Sequence, residues 1–209
     1  GRVAAFFGNG YNSNEFGGDW KARLFVVFLD GGVDGDWTDT GDYYEYDTTI
    51  GDVADCNGLS SPAVVDLNKD GAADKVFAGD MYGNMWAFDL CNYDTGSNVC
   101  QATGWGLANP DPIITATDDG TPTKKPQPIT VKPVVSLDPS VAGTDQLIIA
   151  FGTGQYLASN DVTNKDVQTF YGVRYKNAMT DGGSFGLDPR SNGDKIQDQT
   201  ITEEACTAT

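Results

Sequence analysis

The sequence contains no histidine, which removes the commonest general base and the usual zinc or haem ligand. Any catalysis would therefore depend on carboxylates, lysine, tyrosine or a cofactor. Basic residues are also scarce, since 13 Lys and Arg residues stand against 30 Asp and Glu residues and give a formal net charge of −17. Such an acidic chain repels phosphate backbones and anionic membrane surfaces, so we expect no nucleic acid partner and no membrane insertion.

Long apolar runs are missing as well. No apolar stretch approaches the ~20 residues that a membrane-spanning helix needs, and no signal peptide is visible. The chain opens on "GRVAAFFGNG", which has the pattern of a strand already under way. This start predicts a fragment or processed product of a longer secreted protein.

Cysteine occurs four times and never in the CxxC spacing of zinc or thioredoxin sites. An even number of cysteines in an acidic, glycine-rich chain favours disulfides and an oxidising compartment. Cys91 and Cys100 flank the turn-rich insert "NYDTGSNV", so we predict a local bridge between them, and Cys56 and Cys206 would then form the other. Sequence alone leaves every pairing open, and reduced thiols buried as small apolar side chains are the alternative.

Glycine is abundant, with 26 of 209 residues, and Asp, Asn and Thr are frequent. These residues mark tight turns, and the segments between them are short and rich in Val, Ile, Phe and Tyr. The predicted strands are "RVAAFF" (2–7), "RLFVVFL" (23–29), "AVVDL" (63–67), "KVFAGD" (75–80), "NMWAFDL" (84–90), "PIITAT" (112–117), "ITVKPVVSL" (129–137), "QLIIAFG" (146–152) and "QTFYGVRY" (168–175). The pattern predicts an all-β fold with long polar stretches at 30–60, 92–111 and 176–209.

A faint internal repeat links three of these segments. "FFGNGYNS" (6–13), "FAGDMYGNMWAFDL" (77–90) and "AFGTGQYL" (150–157) share a Phe, a Gly, a polar residue, a second Gly and then an aromatic. Each copy has the pattern of a strand that ends in a glycine turn and returns. Such units, repeated around an axis, are typical of a β-propeller, but a β-sandwich would contain similar strands.

The stretch "DLNKDGAADKVFAGD" has the spacing of a calcium-binding loop up to its ninth position. Oxygen-bearing side chains recur at the first, third, fifth and ninth positions: Asp66, Asn68, Asp70 and Asp74. Gly71 takes the sixth position, where such a loop turns sharply, and the carbonyl of Ala72 can serve as a ligand from the seventh. Phe77 stands where an EF-hand carries its bidentate Glu, and the flanks have the pattern of strands. We therefore predict a calcium loop held between strands, with Asp74 as the closing ligand.

Several alternatives accompany this prediction. The same residues are compatible with a surface turn in which Asp and Asn bond to nearby backbone. Asp30, Asp34 and Asp36 suggest a weaker second cation site, with a solvated loop as the default interpretation. The aromatic residues of 20–46 suit either a sugar-binding patch or ordinary packing, and packing is the expectation; they are Trp20, Trp37, Tyr43, Tyr44 and Tyr46.

The motifs "FFGNGYNS", "GLSSPAVVDLNKDGAADKVFAGDMYGNMWAFDL", "QPITVKPVVS", "FGTGQYL" and "TFYGV" follow one another in this order between residues 6 and 173. Together they resemble the C-terminal β-propeller domain of the PilY1-type type IV pilus biogenesis proteins and tip adhesins. The resemblance implies a calcium site formed by the side chains of 66, 68, 70 and 74 and the carbonyl of 72. It also implies display on a pilus outside the cell, after export through the periplasm and outer membrane.

The resemblance further implies a non-enzymatic role in pilus assembly, adhesion and motility. Its implied partners are minor pilins or other pilus-tip subunits and host or other surface ligands. A chain of 209 residues holds at most about five blades of ~40–45 residues. We therefore predict a partial or modified propeller over 1–175, in which either another polypeptide completes the ring or the fold itself is modified, followed by an irregular arm over 176–209.

Two other functions compete with this one. "AGDMYGNMWAFDL" also resembles the repeats of pyrroloquinoline-quinone propeller dehydrogenases, in which calcium acts as a Lewis acid beside the quinone. Against this, the predicted calcium loop is contiguous and leaves little open coordination. The remaining alternative is a structural subunit of an extracellular filament, in which calcium serves only as a staple.

Overall fold

The computed structural model describes residues 1–11, 19–39, 41–90, 92–94, 99–101, 106–107, 112–118, 124–138 and 147–175. Within these residues the only helical element is a short 3-10 turn at Asp161–Thr163, and no helix there is long and apolar enough to span a membrane. In chain order the strands are β1 (Ala4–Gly8), β2 (Arg23–Phe28), β3 (Tyr43–Asp47), β4 (Ala63–Val65), β5 (Lys75–Gly79), β6 (Asn84–Asp89), β7 (Asn92–Asp94), β8 (Val99–Gln101), β9 (Gly106–Leu107), β10 (Ile114–Thr115), β11 (Val134–Leu137), β12 (Leu147–Gly152) and β13 (Phe170–Tyr175). The prediction of an all-β fold is confirmed.

The strands form three antiparallel sheets that follow one another along the chain. The first sheet has the order β1-β2-β3, the middle sheet β10-β6-β5-β4 with β9 also paired to β6, and the last sheet β11-β12-β13. In addition, β7 and β8 pair with each other, so the insert after β6 contains a hairpin. Within each sheet, most paired strands are consecutive in sequence, and β9 and β10 are the exceptions because both pair with β6.

Two apolar cores lie between these sheets. The first core joins the first sheet to the middle sheet and contains Leu24, Val26, Phe28, Tyr46, Val76, Ala78, Trp86 and Phe88 among its buried residues. The second core joins the middle sheet to the last and contains Phe77, Met85, Ala87, Ile114, Leu147, Ile149, Phe151, Tyr171, Val173 and Tyr175. Because successive residues of a strand point to opposite faces, β5 and β6 supply alternate side chains to the two cores. The three sheets therefore stack face to face.

The repeat seen in the sequence lies at the corresponding position of each of the three sheets. β1, β5 and β12 each end in a glycine, which is Gly8, Gly79 or Gly152. The next residue is polar, and its side chain accepts a hydrogen bond from the backbone N–H where the following strand begins. The distances are 3.0 Å from Arg23 to Asn9, 2.8 Å from Asn84 to Asp80 and 2.8 Å from Thr169 to Thr153. The sheets are thus three copies of one structural unit.

The glycines also mark where one unit meets the next. A Cβ atom on Gly8 would lie 2.2 Å from the carbonyl oxygen of Leu59, and one on Gly79 would lie 2.3 Å from Cγ2 of Ile129. Leu59 and Ile129 lead into the middle and last sheets, so each glycine lets the following unit approach closely. At Gly152 the nearest atom to such a Cβ is 4.0 Å away, on Phe170.

Each of the nine predicted strands overlaps an observed strand, although β10 and β11 are shorter than the patterns at 112–117 and 129–137. The prediction for 30–60 was wrong in one part, because Tyr43–Asp47 forms β3 and pairs with β2. The aromatic and acidic residues of β3 lie within a polar stretch, so the strand was not recognised from the sequence. Tyr46 of this strand is buried in the first core, as the packing interpretation expected. The predicted arm at 176–209 lies outside the described residues.

Candidate metal centre

The predicted calcium loop connects β4 to β5 in the middle sheet. The two strands are antiparallel, with Ala63 opposite Phe77 and Val65 opposite Lys75, so residues 66–74 close the hairpin. Strands flank the loop on both sides, as the sequence predicted. Asp74 and Leu67 are buried, whereas Asp70, Gly71 and Ala72 are exposed, so the loop has its base in the core and its tip in solvent.

Two residues with positive φ curl the loop. Lys69 has φ 62° and Gly71 has φ 90°. Positive φ suits glycine and strains a lysine, so the fold imposes this curl against a local preference. The carboxylate of Asp66 bridges both residues, because it accepts hydrogen bonds from the N–H of Lys69 at 2.7 Å and of Gly71 at 2.9 Å. Asp66, the first predicted ligand, is therefore hydrogen-bonded to the turn at 69–71 that directs the chain toward Asp74.

The other predicted side-chain ligands also accept backbone hydrogen bonds within the loop. Asn68 accepts one from the N–H of Asp70 at 2.9 Å, and Asp70 accepts one from Ala72 at 2.8 Å. Asp74 reaches back to the start of the loop and accepts a hydrogen bond from the N–H of Leu67 at 2.6 Å. All four predicted side chains thus belong to one connected loop.

The electrostatics of the loop favour a bound cation. Burial raises the pKa of Asp74, and the negative charges of Asp66 and Asp70 raise it further, while the N–H groups of Leu67 and Asn68 oppose the rise. Like charges held near a buried carboxylate repel one another, and a divalent ion would remove that repulsion. Carboxylate, amide and carbonyl oxygens are also the ligands that calcium takes in proteins, so the donor set fits the ion.

The side chains as they stand do not converge on one point. Within the described residues, no three acidic side chains meet closely enough to hold a metal ion. The reason is visible in the hydrogen bonds, because the carboxylates of Asp66 and Asp70 face backbone N–H groups. Each carboxylate still has lone pairs for a further partner. Binding of an ion would therefore require the side chains of the loop to turn toward one point.

The buried ammonium group of Lys75 lies directly beside the loop. The side chain of Lys75 is 6% exposed, forms an ion pair with Asp89 and lies 5.8 Å from the ring centroid of Tyr175. Burial lowers the pKa of Lys75 to about 8, and the charge of Asp74 acts in the opposite direction. The loop, β6 and the last sheet are therefore coupled through one lysine.

Sequence reasoning missed a second buried carboxylate at the other end of β5. Asp80 is fully buried, and its two oxygens accept five hydrogen bonds, from Nδ2 of Asn57, Nδ2 of Asn84, Nε1 of Trp86 and the backbone N–H groups of Tyr82 and Asn84. Burial raises its pKa although these donors favour the charged form. The local sequence offered only a Gly-Asp pair at the end of an apolar strand, which does not by itself identify a buried carboxylate.

The weaker predicted sites behave as ordinary loop chemistry. Asp30 forms an ion pair with Arg2 at 2.7 Å, Asp34 accepts a hydrogen bond from the N–H of Asp36 at 3.0 Å, and Asp36 accepts one from Thr38 at 2.9 Å. Asp34 and Asp36 thus bond within their own turn and Asp30 bonds to the N-terminal segment, in agreement with the solvated-loop interpretation. Cys56 has no disulfide partner among the described residues, while Cys91 and Cys206 lie outside them and Cys100 is described only in its backbone, opposite Tyr93. Both predicted disulfides therefore stay predictions.

Comparison with known proteins identifies a family. The model of the PilY1 beta-propeller domain matches residues 1–209. A type IV pilus biogenesis factor PilY1 homolog of Xylella fastidiosa is 37% identical over 83% of this chain and 11% of its own length. The type IV pilus biogenesis factor PilY1 of Pseudomonas aeruginosa PAO1 is 32% identical over 98% of this chain and 17% of its own length. The chain thus spans less than a fifth of these curated relatives.

A solved structure is similar over most of the fold. The crystal structure of the Pseudomonas aeruginosa PilY1 C-terminal domain has a TM-score of 0.66 and 29% identity, and the match covers 89% of this chain and 36% of that one. The face-to-face sheets described above are therefore units of a propeller, which decides between propeller and sandwich. Since the match covers about a third of that domain, the three sheets correspond to part of a ring.

Proposed function

The chain belongs to the PilY1 β-propeller domain family, and from that premise we propose that it is a calcium-binding, non-enzymatic domain of a type IV pilus protein. Its relatives carry the name of type IV pilus biogenesis factors. We assign the chain to the same process and, at the finer level, to pilus assembly, adhesion and twitching motility. This role places it outside the cell on the pilus, with minor pilins, other pilus-tip subunits or surface ligands as neighbours.

The observation that supports the calcium assignment is the loop of residues 66–74. It combines a hard oxygen donor set, a curl imposed by two positive φ values and three carboxylates, of which Asp74 is buried. Bound calcium would be held by Asp66, Asn68, Asp70, the carbonyl of Ala72 and Asp74. The ion would supply charge neutralisation and a cross-link across the β4–β5 hairpin.

The direct experiment is calorimetric titration of calcium into chelator-stripped protein. We expect saturable binding of one ion per chain for the wild type and its loss in Asp70→Ala. Asp39→Ala is the matched control, because it removes an exposed aspartate from a different loop and should bind calcium as the wild type does. Absence of heat in the wild type, or equal binding by Asp70→Ala, would reject the site.

Thermal unfolding tests the structural consequence of the ion. At a calcium concentration 100 times its Kd, a site present only in the folded state adds about 2.7 kcal/mol, which corresponds to roughly 5–10 °C in Tm for a chain of this size. Chelation should remove this increment in the wild type and in Asp39→Ala. If the Tm is unchanged by the chelator, the loop is ordered by its hydrogen bonds alone.

A spectroscopic measurement tests the non-enzymatic assignment. A quinoprotein would show absorbance beyond the protein band and dye-linked oxidation of alcohols after addition of quinone and calcium. We expect neither property, because the predicted ligands form one contiguous loop and leave little of the ion's coordination for a substrate. A quinone-dependent oxidation that Asp70→Ala abolishes would reverse the assignment.

Cellular assays test the pilus role separately from the metal. In the full-length protein, disruption of this domain by Phe77→Ala should impair surface piliation and twitching. Asp70→Ala should impair the calcium-dependent part only, and Asp39→Ala should behave as the wild type. Normal pili and motility in the Phe77→Ala strain would contradict the proposed role, whatever the outcome of the calcium titration.

A further inference from the structure

The connection that leads into each new sheet, here called a junction, carries a buried side-chain amide. Asn57 stands in the first junction and Gln127 in the second, each two residues before the residue that packs on a strand-ending glycine. Both amides bond to the connection that follows the next glycine, because Asn57 donates to Asp80 and Gln127 donates to Thr169, each at 2.9 Å. The two junctions can therefore be compared residue by residue.

A turn with the same hydrogen bonds precedes each buried amide. In the first junction, the N–H of Asp52 donates to the carbonyl of Asp55 at 3.1 Å, and the carboxylate of Asp52 accepts the N–H of Asp55 at 3.1 Å. In the second junction, the N–H of Asp118 donates to the carbonyl of Lys125 at 2.9 Å, and the carboxylate of Asp118 accepts the N–H of Lys125 at 2.7 Å. Lys125 is therefore the equivalent of Asp55.

A tyrosine from the middle sheet closes the first junction. Tyr82 is the third residue after the strand-ending Gly79, and its hydroxyl donates a hydrogen bond to the carbonyl of Asp55. Together with the N–H of Asp52, this gives that carbonyl two donors, which is as many as its oxygen has lone pairs. The side chain that completes the first junction is thus a phenol.

The second junction differs at this position. Gln155 is the third residue after the strand-ending Gly152, and its side-chain amide donates to the carboxylate of Asp161 at 2.9 Å. Among the described residues, the carbonyl of Lys125 accepts only the N–H of Asp118. One lone pair of this carbonyl therefore stays open to a further donor.

A groove of about 150 Å³ lies at this point of the second junction. A cavity of that volume is large enough to take up a benzene ring. The residues that line it include Lys125, Pro126, Pro128, Gln155 and Val167. The ammonium group of Lys125 is paired with Asp166 at 3.1 Å, so its charge is compensated at the groove. Apolar walls, one open acceptor and a paired charge suit a neutral ring that carries a hydroxyl donor.

We propose that this groove binds a tyrosine side chain of a partner polypeptide, with the ring against the prolines and Val167 and the hydroxyl on the carbonyl of Lys125. The first junction shows the complement that fits such a site, because Tyr82 enters it as the side chain of a turn and makes the equivalent hydrogen bond. A turn of the partner would present its tyrosine to the second junction in the same way. This inference is independent of the calcium site and of the pilus role.

NMR titration of the 209-residue chain with N-acetyltyrosinamide provides the first test. We expect saturable shifts with a Kd on the order of millimolar, as for other ligands of this size, and contacts between the ring protons and the methyl groups of Val167. N-acetylphenylalaninamide lacks the hydroxyl and should bind about threefold to tenfold more weakly, which is the effect of one neutral hydrogen bond. Absence of saturable shifts with the tyrosine probe, or an equal Kd for the two probes, would overturn the proposal.

A variant that supplies the ring from within the chain provides the decisive test. Gln155→Tyr places a tyrosine at the position that Tyr82 holds in the first junction, so its own ring should occupy the groove and abolish binding of N-acetyltyrosinamide. Val162→Tyr is the matched control, because Val162 is 63% exposed in the same connection and lies outside the residues that line the groove. This control should bind the probe as the wild type does.

A third variant separates the loss of the glutamine from the presence of the ring. Gln155→Ala also removes the hydrogen bond to Asp161 but leaves the groove open, so it should keep the probe. Far-UV and near-UV circular dichroism confirm that the three variants are folded. Equal binding by the wild type and Gln155→Tyr, or loss of binding in Gln155→Ala as well, would overturn the proposal.

Discussion

The middle sheet and the sheets on either side of it are built from the same unit, but their surroundings differ. Every residue of β5 is buried, whereas β1 alternates between half-buried and exposed residues. The equivalent strand β12 buries only every second residue. Since local sequence is similar in all three, burial is decided by whether a neighbouring sheet is present on each face. Equivalent substitutions in the two environments therefore measure the contribution of that neighbour.

The largest difference is expected for two phenylalanines, Phe77 on β5, which is covered on both faces, and Phe7 on the outer face of β1. Phe77 is fully buried, and Phe77→Ala should lower the free energy of unfolding by about 3–5 kcal/mol because it leaves a cavity in the second core. Phe7 is 45% exposed and its ring stacks on Phe25, so Phe7→Ala should cost about 1 kcal/mol. Urea unfolding at low protein concentration measures both changes in the free energy of unfolding. Equal losses would contradict the claim that the middle sheet is stabilised by neighbours on both faces.

The polar residues after the glycines should differ by a smaller amount. Asp80→Asn places an amide N–H donor among the five donors that surround Asp80. The donors that lose their acceptor should lower the free energy of unfolding by about 2–4 kcal/mol. Thr153→Ala removes a half-buried hydroxyl that accepts a hydrogen bond from the N–H of Thr169 and donates one to its carbonyl, and it should cost about 1 kcal/mol. Thermal unfolding followed by circular dichroism measures the two values. A larger loss of stability in Thr153→Ala than in Asp80→Asn would show that these equivalent positions do not contribute to stability as their burial predicts.

The glycines themselves give the next comparison. Gly79→Ala forces a Cβ against Ile129, and the displacement should cost about 1–3 kcal/mol. Gly152→Ala meets no atom closer than 4.0 Å and should change stability by about 0.5 kcal/mol or less. The two changes are chemically identical, so the difference in unfolding midpoint isolates the close approach of the next unit. Similar midpoints would mean that Ile129 moves aside.

The smallest expected effect concerns acid. Hydrogen bonds from the backbone N–H groups of Leu157 and Ala158 and from Gln155 hold the pKa of Asp161 below its ordinary value of 3.8. Its stabilisation is therefore present above pH 3.8 and lost as the pH falls through the lowered pKa. Asp161→Asn should flatten the dependence of Tm on pH in that acid range. A profile parallel to that of the wild type would contradict this contribution.

Much of this fold was accessible from sequence because short strands between glycine and aspartate turns leave a clear local pattern. The strands, the repeat and the path of loop 66–74 all depend on residues close to one another in the chain. What the sequence did not reveal depends on distant residues. Asp80 is recognisable as a hub only when Asn57 and Trp86 are seen beside it, and β3 is recognisable only when it is paired with β2.

The stacking of the sheets could not be predicted for the same reason. Val76 and Phe77 are adjacent apolar residues, and no local pattern tells which of them belongs to which core. The position of the carboxylates in the loop was predicted, but the hydrogen bonds that Asp66 accepts from Lys69 and Gly71 depend on the curl that the fold imposes.

One strand sets a limit on how the chain can change in length. β5 holds five residues between the carboxylates of Asp74 and Asp80, and it is hydrogen-bonded to a strand on each side. Insertion of a single residue into it would exchange the two faces and carry Phe77 into the wrong core. Insertions and deletions between 74 and 80 should therefore abolish folding, so that natural variation in length must be accommodated in the connections between strands.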